Sequence, residues 1–105
     1  MAQEDKYYLG SDLKFKIDIT ASGFDQGTDE YRIDLYCGNR KLTYTDQDIV
    51  TDPETGYHYL LVDTDLLRPG TIKLVVTALV PDEIFTSGVR REVDVKNIGF
   101  IKNTN

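Results

Sequence analysis

From Asp12 to Thr20 the chain alternates without a fault. Leu13, Phe15, Ile17 and Ile19 fall in one phase, and Asp12, Lys14, Lys16, Asp18 and Thr20 in the other. A helix would gather its apolar residues every three or four positions; a period of two belongs to a strand with one face on a core and one in water. Such a strand cannot cover its own apolar face, so the rest of the chain has to supply a second layer. Tyr31 to Cys37 repeats the pattern, with Tyr31, Ile33, Leu35 and Cys37 in phase. Gly38-Asn39 follows, a pair suited to the positive φ angles of a tight turn, and Lys41 to Thr45 reads as the returning strand of a hairpin.

The remaining punctuation is equally regular. Ala21 to Asp29 is a loop with Gly23 and Gly27, and Pro53 to Gly56 is a turn. Ile49 and Val50 mark a short strand, and Tyr57 to Asp63 a longer one. Asp65 to Leu67 fits one helical turn before Arg68-Pro69-Gly70. Thr71 to Val80 is apolar in both phases: Ile72, Leu74, Val76, Ala78 and Val80 in one, Val75 and Leu79 in the other. That places it centrally or under a cover. Asp82 to Gly88 connects it to Val89–Lys96, where Val89, Val93 and Val95 are expected inward and Arg90, Glu92, Asp94 and Lys96 outward. Arg91 falls in the apolar phase, which points to a strand end or a partner. Composition agrees: Val, Ile and Thr total 27 residues, against three Ala and five Glu, so strand formers dominate helix formers. The expectation is an all-β, antiparallel β-sandwich of about seven strands, one domain over residues 1–105, with a small barrel as the alternative.

Charge and residue counts narrow the function. Eighteen Asp and Glu against 12 Lys and Arg leave a net charge of −6, which argues against a nucleic-acid partner. Arg90-Arg91 and Lys14/Lys16 are basic pairs, each balanced by neighbouring acids. No run of 18 apolar residues occurs, so no membrane-spanning helix and no membrane partner are expected. One His and one Cys cannot build a soft-metal cluster within one chain, and Cys37 reads as a small buried hydrophobe. The start, Met1 to Lys6, is polar and acidic, unlike a secretory leader. No catalytic, cofactor-binding or metal-binding residue is expected. His58 reads as a strand-surface residue opposite in phase to Tyr57 and Tyr59. Ser11, Ser22 and Ser87 lie outside any nucleophile-elbow motif. Asp46, Asp48, Asp52 and Glu54 lack the Gly and Glu positions of a calcium loop and read as solvated. Paired carboxylates could serve a glycosidase, yet the chain has no Trp to bind a sugar.

The two ends carry the residues expected to meet partners. Ile98, Phe100 and Ile101 extend beyond the last alternating segment, and Tyr7-Tyr8-Leu9 precedes the first. Apolar residues at a terminus either continue a strand or dock on a neighbour. Segments 1–8 and 98–105 are therefore candidate docking segments, with Tyr7, Tyr8, Leu9, Phe100 and Ile101 as the interface residues. The seven tyrosines admit two readings, strand packing and partner contact.

The stretch Leu67-Arg68-Pro69-Gly70-Thr71-Ile72-Lys73-Leu74, followed by Val80-Pro81-Asp82-Glu83-Ile84-Phe85 and Gly88-Val89-Arg90-Arg91-Glu92-Val93, resembles small immunoglobulin-like modules of Bacteroides phages, including the crAss-like phages. Ser87 departs from the Asp that such modules often carry there. Similar proteins are virion components of head-fibre, tail-fibre or baseplate type. The resemblance implies an immunoglobulin-like sandwich and a non-enzymatic structural subunit of a virion, made in the host cytoplasm without a signal peptide. It implies other virion proteins and further copies of the chain as partners, in a homo-oligomer for which a trimer is one option. It transfers no catalytic residue and no cofactor. The alternative function is a bacterial surface adhesion or carbohydrate-binding module.

Overall fold

The computed structural model describes residues 6–103. Eight strands are formed among them: β1 (Lys6–Tyr8), β2 (Asp12–Lys16), β3 (Tyr31–Cys37), β4 (Arg40–Thr45), β5 (Val50–Thr51), β6 (His58–Asp63), β7 (Gly70–Pro81) and β8 (Val89–Lys102). Two 3₁₀ turns, Asp46–Asp48 and Thr64–Leu66, sit between them. The strands form a five-stranded sheet in the order β1-β8-β7-β3-β4 and a three-stranded sheet in the order β2-β6-β5. All pairings are antiparallel except β1 with β8. The fold is thus all-β and sandwich-like, with two facing sheets.

Period-two patterning supplies the core from both layers. Leu13 and Ile17 from β2 and its extension meet Leu60 and Val62 from β6; Ile33 and Leu35 from β3 meet Ile72, Leu74, Ala78 and Val80 from β7. The alternation beginning at Asp12 persists in burial as far as Ile19, but its ladder ends at Lys16 because β6 begins at His58. Beyond that point the Gln26 side chain replaces the missing neighbour. Its Oε1 accepts from the Ile19 N–H at 3.0 Å, and its Nε2 donates to the Ile17 carbonyl at 2.8 Å. The β3–β4 turn is a two-residue loop, with Cys37 opposite Arg40. Only Gly38 adopts positive φ, 61°, while Asn39 does not, which is the pattern of a type II′ turn.

The strand phase of β8 corrects the sequence expectation. Arg90, Glu92, Asp94 and Lys96 lie opposite Val80, Ala78, Val76 and Leu74, on the face that carries the core. Val93 and Val95 lie opposite Thr77 and Val75, on the outer face. Opposed residues of a ladder share a face, so the valines point out and the charges in. The cause is a bulge: Lys73 pairs Asn97 while Ile72 pairs Gly99, leaving Ile98 as an extra residue. That residue resets the phase, so Ile101 enters the core at 2% exposure. The inward charges are tolerated because residues 91–97 are all exposed and the half-buried Arg90 is paired with Asp82 and Glu92.

The Cα radius of gyration is 15.1 Å, with extents of 53 × 32 × 30 Å; a compact chain of this length would give about 13 Å.

Burial sets the alkaline limit of this core. It pushes the phenols of Tyr31 and Tyr44 and the thiol of Cys37 above their ordinary values. Gln26 pulls the first partly back, the charges of Asp48 and Asp63 add to the second, and a backbone contact from Ile101 opposes the third. In the unfolded chain these groups release their protons at lower pH, so the folded state holds more protons in the intervening window. Stability is therefore whole below about pH 9 and declines as pH rises above it. Urea titrations from neutral to alkaline pH should show that decline. The Cys37 sulfur lies 3.0 Å from the Arg68 carbonyl oxygen and 3.3 Å from that of Gly70. At neutral pH it should stay unreactive toward an aromatic disulfide reagent until the chain is unfolded.

Candidate functional site

The site is built on β8. Among the described residues, strand β1 covers this strand at Phe100–Lys102 alone. Along Val89–Asn97, β7 lies on one side, and no strand among the described residues lies on the other. From Arg90 to Asn97 the described residues thereby leave a row of backbone N–H and C=O groups without a strand partner, a ready template for another strand. The outer face beside that row carries an apolar patch. Val93 and Val95 are 59% and 54% exposed, next to the half-buried Val75 and Leu79. A shallow groove of ≈ 410 Å³ begins there, its rim carrying Glu30, Arg32, Asp46 and Arg91. Arg91, out of place in the sequence pattern, belongs to this outer face.

The inner face of β8 borders a second groove, of ≈ 510 Å³, that opens between β2 and β8. Its floor is Leu74, Val76 and Ala78; one wall is Phe15 and Ile19, the other Glu92, Asp94 and Lys96. The charged wall is neutralised along the strand. Arg90 Nε donates to Glu92 at 2.8 Å, and Lys96 Nζ lies 3.7 Å from Asp94.

The β7–β8 connection holds Ile84 in water at 93% exposure, with Phe85 at 48%. The turn beneath them is tightly bonded. The Asp82 N–H donates to the Gly88 carbonyl at 2.9 Å, and Asp82 Oδ1 accepts from the Ile84 N–H at 3.1 Å. Arg90 clamps this turn, donating to Asp82 at 2.7 Å and to the Ser22 carbonyl of the β2–β3 loop at 2.9 Å. Replacing Arg90 with Ala should speed amide exchange at Ile84 and Gly88 while leaving core amides unchanged, because the clamp is local and solvated.

The terminal segments meet each other. Tyr7 lies opposite Ile101, and Lys6 opposite Phe100; the Leu9 N–H donates to the Lys102 carbonyl at 2.9 Å. Tyr7 also stands edge-on to Phe15, with ring centroids 6.1 Å apart. Tyr8 is 52% exposed, Leu9 and Phe100 are half-buried, and Ile101 is buried. The structure thus brings the five sequence-selected residues together, with Tyr8 offering the most surface. Positions 1–5 and 104–105 of the two docking segments lie outside the described residues.

The loop carboxylates are engaged in turns. Asp48 accepts from the Thr45 N–H at 2.9 Å and Asp52 from the Glu54 N–H at 2.9 Å. Among the described residues no group of three His, Cys, Asp or Glu is placed to hold a metal ion. His58 sits on β6 with its Nδ1 3.0 Å from the Thr51 hydroxyl. On the same sheet Lys16 Nζ lies 3.7 Å above the Tyr57 ring and Lys14 Nζ 4.2 Å above the Tyr59 ring. Sequence reasoning missed the free edge itself. The available signal was Arg91 within an alternating Val pattern, and the hidden one was the bulge at Ile98.

No protein family, curated protein or solved structure matches this chain.

Proposed function

We propose that this chain is an immunoglobulin-like module serving as a non-enzymatic structural subunit of a phage particle, a head- or tail-attached fibre component. The strand order supports the fold reading. In variable-type immunoglobulin domains a sheet of strands G, F, C and C′ faces one containing B, E and D. Strands β8, β7, β3 and β4 stand in the first set of places, and β2, β6 and β5 in the second. The chain departs from antibody domains in having no Trp and a single Cys. The observation that carries the assembly reading is the stretch Val89–Asn97, which no described strand other than β7 flanks, with the exposed Val93 and Val95 beside it. A free edge flanked by apolar surface suits joining to a neighbour by strand addition. The phage assignment rests on the sequence resemblance between Leu67 and Val93.

The test is proteomic. Particles made by the genome that encodes the chain, purified on a density gradient, should contain it at constant stoichiometry to the other structural proteins. Its presence only in the unassembled fraction would overturn the virion role. The adhesion or carbohydrate reading has one observation in its favour, the exposure of Tyr57 at 46%. Lysines already lie over Tyr57 and Tyr59, so a glycan would have to displace them. Glycan-array binding that disappears in Tyr57→Ala would favour that reading instead.

A further inference from the structure

We propose that the edge of β8 that no described strand covers pairs antiparallel with β8 of a second copy, about a two-fold axis at Val95. The inference rests on the assembly reading and names the partner of the same site. A two-fold axis normal to the sheet returns each face to itself, so only residues of like phase come opposite one another. The charges on the strand then select the register. Centring the axis on Arg90, Arg91, Glu92, Asp94 or Lys96 sets that charge against its own copy. Centring it on Val93 sets Glu92 against Asp94 and Arg90 against Lys96, two like-charge clashes on each side. Centring it on Val95 sets Val95 on Val95, Asp94 against Lys96 twice, and Val93 against Asn97. Within Arg90–Lys96 this is the one register free of opposed like charges.

The geometry favours the same choice. Val95 is 54% exposed and stands next to the half-buried Val75. Pairing at Val95 therefore joins the outer apolar surfaces of two sheets, running Val75–Val95–Val95–Val75 across the junction. On the inner face each Asp94, now 3.7 Å from its own Lys96, gains the second copy's lysine, and the strand retains its ion pairing. The charged alternation that blunts this edge against arbitrary strands thus leaves one self-complementary alignment open.

Light scattering over a concentration series, with Asp94→Lys and Lys96→Asp made separately, tests this. The wild-type chain should approach twice its 11.9 kDa mass as concentration rises. Each single variant opposes two like-charge pairs in the Val95 register and should dimerise at least roughly tenfold more weakly. In a mixture of the two variants, one copy carries lysine at both positions and the other carries aspartate at both. Opposite charges then face each other at both pairs, and the dimer should be recovered as a heterodimer. Both positions are exposed, and circular dichroism should show the wild-type fold in each variant. A wild-type chain that stays monomeric at every concentration overturns the proposal. So does a dimer indifferent to both substitutions, which would place the contact elsewhere, or a mixture that fails to associate. Any of these results alongside a chain found in purified particles would overturn the edge pairing alone and leave the virion role standing.

Discussion

Leu35→Ala should remove about 2–5 kcal/mol of folding stability, the largest loss expected from shortening a single side chain here. Leu35 is fully buried at the middle of β3, opposite Leu42 on β4 and Leu74 on β7. The surrounding backbone is held by ladders on both sides, so it cannot collapse into the space left behind. The cost therefore combines lost apolar transfer with an unfilled cavity. Domains of this size have about 5–15 kcal/mol in all, and the melting temperature should fall on the order of 15 °C. Urea unfolding with an unchanged slope would attribute the loss to the native state. Leu61→Ala is the matched comparison on the solvent face, where the side chain is 51% exposed, and it should cost less than about 1 kcal/mol. Equal losses at the two positions would mean that the layer between the sheets is not the core.

Gly70→Ala should cost roughly 3 kcal/mol by a different route, through backbone rather than cavity. Gly70 has φ 153°, where a side chain is strained before any contact is counted. A Cβ placed there would lie 2.7 Å from the Gly38 nitrogen and 2.9 Å from its Cα. Both are backbone atoms of the β3–β4 turn and have no rotamer by which to retreat. The turn and the start of β7 touch through two glycines, and the Cys37 sulfur lies at the same junction. The predicted damage is accordingly double: lower stability, and a thiol that reacts in the native state. Gly56 also has positive φ, 75°, but faces open space, so Gly56→Ala should cost only about 1 kcal/mol and leave the thiol protected. Similar effects at the two glycines would refute the contact argument.

Local chemistry made much of this fold readable. The hairpin from Tyr31 to Thr45 follows from two alternating runs around Gly38-Asn39, and the wet face of β2 follows from Lys14 and Lys16 falling between Leu13, Phe15 and Ile17. These features depend on neighbours within a few residues. Other features depend on what a distant strand does, and no local pattern reports them. The valines of β8 look inward by alternation alone, yet one extra residue at Ile98 turns them out. The pairing of Tyr7 with Ile101 joins opposite ends of the chain, and neither segment alone indicates the other. The same division holds for the site. Arg91 in an apolar phase marked the strand as unusual. That no described strand other than β7 lies beside Val89–Asn97 depends on where β1 meets β8 within one sheet, which neither segment reports by itself.

The parallel ladder between β1 and β8 also determines how the chain would bear a load. It joins Lys6–Tyr8 to Phe100–Lys102, with the two strands running in the same direction. Tension applied to the two termini pulls the start of β1 and the end of β8 toward opposite ends of that ladder. Its hydrogen bonds are then sheared together instead of being peeled apart one after another. Ile101, sunk into the core beside them, ties the ladder to the body of the protein, so slippage there would have to drag a core side chain with it. In a row of such units, force would pass along this short clamp and the rest of each sandwich would stay at rest until the clamp gave way.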